Sequence, residues 1–274
     1  MEQVIFYLFI FIIGTVFGSF FTLAVYRIPL HQDITHERSY CPKCNHKLSF
    51  WDMIPIFSYI FLGGKCRYCK EKIRIRYLLL EILTGVVFLL FTMSINISFK
   101  TLEINKLVYL LLGFLYIIGM IIIAGIDKEK KTITKSVLIY EIIVVTAYIV
   151  YLYTVEKSNI YRYAIYLLML FIFIIIENLY LRKKLKDNYT LQILELSMVM
   201  AIFTREITYV ATVILTLLII AIMQIKNKIL KNKDSKLKES YYLNIPFGFY
   251  LVCSNIISLI IVNFITCGWI VWKM

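Results

Sequence analysis

A chain of 274 residues that is 61% hydrophobic and only 17% charged, with mean hydropathy +0.79, is too apolar for an ordinary soluble domain. Its net charge of +13 would suit a nucleic-acid surface, but the charge is distributed in a way that excludes this reading. Four prolines and ten glycines leave no room for a flexible linker or low-complexity tract, and no internal repeat is visible.

The chain opens on an apolar run, Val4 to Val25, too long for a signal-peptide core and without a small-residue cleavage site, so it is kept as a first membrane helix. Roughly 20 apolar residues span a bilayer. On that rule the spans fall near 4–26, 77–95, 105–126, 137–154, 162–181, 191–204, 207–225 and 246–271. The expected fold is an all-α polytopic membrane protein of about eight transmembrane helices, the short 191–204 among them. Its expected domains are a first helix over 1–26, a polar segment over 27–76 and a transmembrane core over 77–274.

Basic residues set the orientation. The segments 27–76, 127–136, 182–190 and 226–240 hold 24 of the 30 Lys and Arg, which places them in the cytosol and both termini outside. The positive charge thus marks topology and contact with anionic lipid in an inner or plasma membrane.

The polar segment between the first two spans carries Cys41-Pro-Lys-Cys44 and Cys66-Arg-Tyr-Cys69, two C-x2-C hooks separated by 21 residues. Each hook offers two sulfurs on one tight turn, and two hooks close a tetrahedron around Zn²⁺. A cytosolic location disfavours disulfides, and four protein ligands leave no open position, so the expected zinc is structural. Free or redox-active thiols are the alternative. Cys253 and Cys267, in the last apolar run, read as small buried hydrophobes. His31, His36 and His46 read as solvated loop residues, with His46 close enough to a hook to replace a sulfur. Ser49 to Pro55 is apolar enough to lie on the membrane surface, with Trp51 and Tyr59 as interfacial anchors.

These residues resemble the type IV prepilin peptidases, the leader peptidase and N-methyltransferase family of membrane aspartyl proteases. Four stretches carry the resemblance: Gly18-Ser19-Phe20 with Tyr26-Arg27-Ile28-Pro29; the run from Arg38 to Gly85 with both hooks, Asp52 to Pro55 and Arg76-Tyr77; Ile126-Asp127; and Ile245-Pro246-Phe247-Gly248. The resemblance implies two catalytic aspartates. The first maps onto Asp127, and the second, from a Gly-x-Gly-Asp motif, onto Asp187. Both motif glycines are lysines here, Lys184 and Lys186, the lysine two places beyond the aspartate is Tyr189, and Thr22 stands where the first motif has Asn.

Two carboxylates that share a site cannot both ionise easily, so one activates water while the other polarises the scissile carbonyl. The neighbouring lysines favour Asp187 as the ionised member and Asp127 as the protonated one. Polar capping beside basic loops is the bland alternative for both. Glu177 is the next candidate partner for Asp127, Glu141 and Glu195 are expected to be satisfied inside the bundle, and Glu81 either pairs with Arg74 or Arg76 or serves methylation. The implied activity is removal of the leader of prepilins or pseudopilins at the cytosolic membrane face, with methylation of the new N-terminus from S-adenosylmethionine where that activity is retained. No glycine-rich loop marks a methyl-donor site. The rival readings are a non-catalytic pilin-binding or assembly factor on the same scaffold, and a proton-coupled transporter, which the hooks and the absent repeat disfavour.

Overall fold

The computed structural model describes residues 1–34, 38–97, 103–156, 161–182, 189–231 and 245–271. The chain runs through α1 (Glu2–Arg27), a 3₁₀ turn (Ile28–Leu30), a second 3₁₀ turn (Phe50–Asp52), the short α2 (Phe57–Phe61), α3 (Arg76–Ser94) and α4 (Ile104–Lys130). Then follow α5 (Lys135–Tyr151) with a π-helical extension (Leu152–Glu156), α6 (Tyr161–Arg182), α7 (Tyr189–Phe203), α8 (Glu206–Lys231) and α9 (Phe247–Val271). Pairing outside the helices among the described residues is limited to two isolated bridges, Tyr40 with Lys47 and Lys65 with Lys72.

Among the described residues, seven helices are long and apolar enough to cross a membrane by length and composition. The eighth expected span is α7, with 15 residues and hence roughly 22 Å, short of a bilayer's hydrocarbon thickness. Its character is that of a core helix: Leu196, Val199, Met200, Ile202 and Phe203 are essentially enclosed. An apolar run with one acidic residue, Glu195, does not separate a short buried helix from a span, which is why the two read alike.

The chain forms two compact units, Met1–Leu110 and Leu111–Met274. In the first, α1 lies closely against α3. A Cβ on Gly14 would stand 2.8 Å from the Gly85 Cα, and one on Gly18 2.8 Å from the Glu81 Cα. Between apolar helices in lipid, this close backbone approach supplies the packing energy that exclusion of water supplies elsewhere. Gly14→Leu should push the helices apart and lower stability by about 3 kcal/mol; thermal unfolding in detergent, read as a fall in melting temperature against wild type, measures it.

The second unit is organised around aromatic and polar contacts. The Tyr116 ring stacks on Phe203 at 4.0 Å, and Tyr148 lies 4.6 Å from Phe203. The Tyr116 hydroxyl donates to Asn255 Oδ1 (2.7 Å), and the Asn255 amide donates to Thr212 Oγ1 (3.2 Å), which joins α4, α8 and α9 through fully buried groups. Such links are enthalpically favourable because a polar group left unpaired in hydrocarbon is costly. Glu195 departs from expectation. It and Glu141 are both buried, and Glu195 Oε1 lacks a hydrogen-bond partner. Glu141 fits only because Gly119 of α4 lacks a side chain at the point where its carboxyl lies.

Candidate functional site

In the polar segment, the two hooks fold alike. The Cys41 N–H donates to the His46 carbonyl (3.0 Å) and the Asn45 N–H to the Cys41 carbonyl (2.8 Å); in the second hook Cys66 N–H meets Glu71 (2.8 Å) and Lys70 N–H meets Cys66 (3.1 Å). Each turn closes on a residue with positive φ just after its second cysteine, Asn45 at 56° and Lys70 at 60°. Asn tolerates that conformation, and Lys adopts it at some cost. The repeated turn brings the sulfurs of Cys41, Cys44, Cys66 and Cys69 within 4.8 Å of one another.

A zinc ion with four sulfurs at about 2.3 Å needs a sulfur–sulfur spacing of about 3.8 Å. Cys41 Sγ and Cys69 Sγ are 3.8 Å apart. Crowding also separates the thiols electrostatically. Burial pushes the Cys41 thiol up, but backbone N–H groups of Cys44 and Lys43 and the thiols of Cys44 and Cys66 outweigh it and bring it down to about 7. The Glu71 backbone N–H favours the Cys69 thiolate, yet burial and the other three cysteines push that thiol up to about 12. Four thiolates this close repel one another, and a divalent cation relieves that repulsion. Geometry and donor chemistry therefore fit zinc. His46 takes no part: its ring lies 3.6 Å from that of Tyr68, so it ties one hook to the other by stacking. Tyr59 folds inward over Gly64 and donates to the Ile73 carbonyl (3.3 Å).

Asp52 clasps the second hook to the segment between them. Arg67 Nε donates to Asp52 Oδ1 (2.6 Å), while the Ser49 hydroxyl and N–H and the Tyr68 hydroxyl reach Oδ2 at 2.7, 3.1 and 3.3 Å. Burial alone would raise the Asp52 pKa, but these donors and the Arg67 charge hold it below the usual carboxylate range. A depressed folded-state pKa adds stability that is present above the unfolded value near 4 and lost as pH falls through the lower folded value. Because Arg67 is half exposed, the ion pair itself contributes no more than about 1 kcal/mol. Asp52→Asn should therefore lower the melting temperature at neutral pH, and its deficit against wild type should shrink as pH drops below about 4.

In the second unit, Asp127 lies in the last turn of α4, at its lysine-rich end, and is fully buried. The Tyr189 hydroxyl, from the first residue of α7, donates to Asp127 Oδ1 (2.7 Å). The Phe249 N–H, in the first turn of α9, donates to Oδ2 (2.8 Å), and the Gly248 N–H donates to the Tyr189 oxygen (3.2 Å). The start of α9 is thus an anion-binding end whose free N–H groups point at the carboxylate and at the tyrosine that holds it. A Cβ on Gly248 would sit 3.1 Å from Asp127 Oδ2, so glycine is what lets the carboxylate come this near. Lys128 Nζ lies over the Phe249 ring at 4.7 Å. Both Asp127 oxygens thus accept a hydrogen bond, one from a side-chain hydroxyl and one from a backbone N–H.

Asp187 lies outside the described residues. Glu177 is committed elsewhere, with Lys135 Nζ at 2.9 Å from one oxygen and the Gln192 amide at 3.2 Å from the other. Glu81 of α3 accepts the Ile56 N–H (2.7 Å) and hydrogen-bonds the Ser19 hydroxyl, partners that the sequence did not suggest. Tyr189 and Phe249 are the site residues that sequence reasoning missed. Tyr189 stood out only as a departure from a motif, and a backbone N–H carries no residue-type signal.

Residues 12–95 match the family described as Bacterial Peptidase A24 N-terminal domain. Among curated proteins, the chain is 42% identical over 84 residues to a prepilin leader peptidase/N-methyltransferase of Myxococcus xanthus, covering 31% of this chain and 25% of that one. It is 35% identical over 150 residues to the protein of that name from Vibrio cholerae (43% and 58% covered) and 34% identical over 131 residues to the one from Bacillus subtilis (48% and 49% covered). The resemblance read from the sequence is borne out. The alignments span about half the length of the second and third of these relatives, and a quarter of the first. No solved structure matches.

Proposed function

We propose that this chain, similar over its first third to the N-terminal domain of bacterial A24 peptidases, is a membrane-embedded aspartyl endopeptidase that removes the leader of prepilins or pseudopilins. The observation that carries this reading is the buried Asp127 carboxylate, fixed on both oxygens at the lysine-rich end of a membrane helix. Charge counting assigns that end, and the four-cysteine segment, to the cytosolic side. A substrate whose leader is cytosolic and whose following helix is in lipid would present its cleavage bond at that level.

In this reading Asp127 and Asp187 form the dyad. The ionised carboxylate takes a proton from a water whose oxygen bonds to the scissile carbonyl carbon. The other carboxyl donates to the carbonyl oxygen, and the C–N bond then breaks as the leaving amine is protonated. Tyr189 and the first turn of α9 hold Asp127 in one orientation, so little reorganisation is needed at the moment of reaction. Cys41, Cys44, Cys66 and Cys69 would hold a zinc ion whose contribution is to the folding of the polar segment. Methylation of the new N-terminus with S-adenosylmethionine is part of the proposal through the relatives' name alone, and no residue here is assigned to it.

Two observations favour a second reading, a non-catalytic pilin-binding homologue. Lys184 and Lys186 stand where the motif has glycines, and a tyrosine hydroxyl already occupies one Asp127 oxygen. Incubation of the purified protein in lipid with a pilin precursor decides between them: a product lacking the leader supports the peptidase, and an uncut but co-purifying precursor supports the binding factor.

A further inference from the structure

The polar segment does not stand clear of the membrane helices that flank it. Glu81 lies five residues into α3 and Ser19 eight residues before the end of α1, so roughly 7.5 and 12 Å below the helix ends at 1.5 Å per residue. The Ile56 N–H nevertheless reaches the Glu81 carboxylate that Ser19 also bonds. The chain achieves this descent by a γ-turn, with the Phe57 N–H on the Pro55 carbonyl (2.6 Å) and Ile56 at φ 63°, ψ −55°. That conformation is rare and strained, most of all for a β-branched side chain. Glu81 compensates by binding the N–H that the turn exposes.

The turn leads directly into α2, which cannot bury its apolar side chains. Phe57 is 60%, Ile60 62% and Phe61 83% exposed, and Phe50 and Trp51 just before it are each 70% exposed. An apolar hollow lies among Trp51, Ile54, Phe57, Phe61, Leu62 and Arg67. The segment 38–76 as a whole carries nine Lys and Arg against Asp52 and Glu71; Lys43, Lys47, Lys65, Lys70, Lys72 and Arg74 are all exposed, and Arg67 borders the hollow itself. Exposed aromatic and aliphatic side chains in a strongly basic segment, tied to a membrane helix at its second turn, match an interfacial helix.

We infer that α2 and the Phe50–Trp51 turn lie in the headgroup–acyl boundary of the bilayer and bind anionic lipid, held at that depth by the Glu81–Ile56 hydrogen bond. A variant keeping Trp51 as its sole tryptophan (Trp269→Phe, Trp272→Phe), reconstituted in vesicles of phosphatidylcholine and phosphatidylglycerol, tests this. Acyl chains brominated near the headgroup should at least halve Trp51 emission, chains brominated at their ends should do so less, and aqueous acrylamide should quench weakly. In equimolar vesicles, bromines carried on phosphatidylglycerol should quench more than those on phosphatidylcholine, and equal quenching overturns the headgroup preference. Glu81→Ala should raise acrylamide quenching about two-fold as the pin is lost. Phe61→Ser, a surface change that leaves the pin intact, should shift quenching the same way. Trp51 open to acrylamide and blind to bromine overturns the proposal. So does a Trp51 shielded from both, which a second copy of the chain would produce, and so does shielding that requires added pilin precursor.

Discussion

Asp127→Asn should reduce pilin-precursor cleavage to below about a thousandth of wild type, because residues acting as one catalytic unit fail together. The substitution is nearly isosteric. Its amide oxygen can still accept from Tyr189 or Phe249, so zinc content and melting temperature should hold while cleavage fails. Asp187→Asn should be as severe, and the double variant no worse than either alone. Tyr189→Phe separates orientation from chemistry. It removes one donor to Asp127 and one acceptor for Gly248 while preserving the ring, and should lower kcat about ten-fold with KM unchanged. Its coupling to Asp127 can also be read without any activity, as non-additive melting temperatures across a double-mutant cycle of Tyr189→Phe with Asp127→Ala, which removes the acceptor that Asn would keep. Normal processing by Asp187→Asn together with an inactive Glu177→Gln would transfer the second role to Glu177, against the ion pair that now occupies it. A wild type that cuts nothing while the Tyr189–Asp127 coupling persists would promote the binding-factor reading.

What the sequence revealed, and what it hid, follows from how far each signal reaches along the chain. The helices were legible because twenty consecutive apolar residues are a local property, and the hooks because C-x2-C is one turn long. α7 reads alike in either setting because burial inside a bundle and burial in lipid select the same side chains; it is the shorter apolar helix beside seven longer ones among the described residues. Asp127 was singled out by the family resemblance together with its place at the end of an apolar run. Its partners were hidden because they come from 62 and 122 residues away, one of them through a main-chain N–H. Gly248 illustrates the limit well. The motif Pro246-Phe247-Gly248 could be quoted from the sequence, but that its missing Cβ makes room for Asp127 is a fact of three dimensions. The Ile56 turn left still less trace, since nothing in Pro55-Ile56-Phe57 signals a positive φ at a β-branched residue.

Zinc loss should have the largest structural effect, and the reason lies in what the polar segment lacks. Among the described residues from 38 to 75, only Cys41, Gly64 and Cys66 are buried. No aliphatic or aromatic side chain there is enclosed, so the segment has no hydrophobic core to survive on. Two short bridges, the Asp52 clasp and the His46–Tyr68 stack are each worth about 1 kcal/mol or less in water. Thiolate ligation of structural zinc, at roughly 10–16 kcal/mol in small peptides, exceeds all of these together. The purified protein should therefore contain about one equivalent of zinc, and Cys41→Ser with Cys66→Ser, which removes one ligand from each hook, should lose it. Without the ion, trypsin should cut at Lys43, Lys47 and Lys70, which folded hooks protect. The loss should stay local, because α1 and α3 are held by their own backbone contact at Gly14 and Gly85 and need no metal. Helical circular dichroism should then be nearly unchanged while the segment becomes protease-sensitive. Zinc retained at one equivalent by the double variant would rule out the four-sulfur site, and protease resistance without zinc would show that the segment folds by some other means.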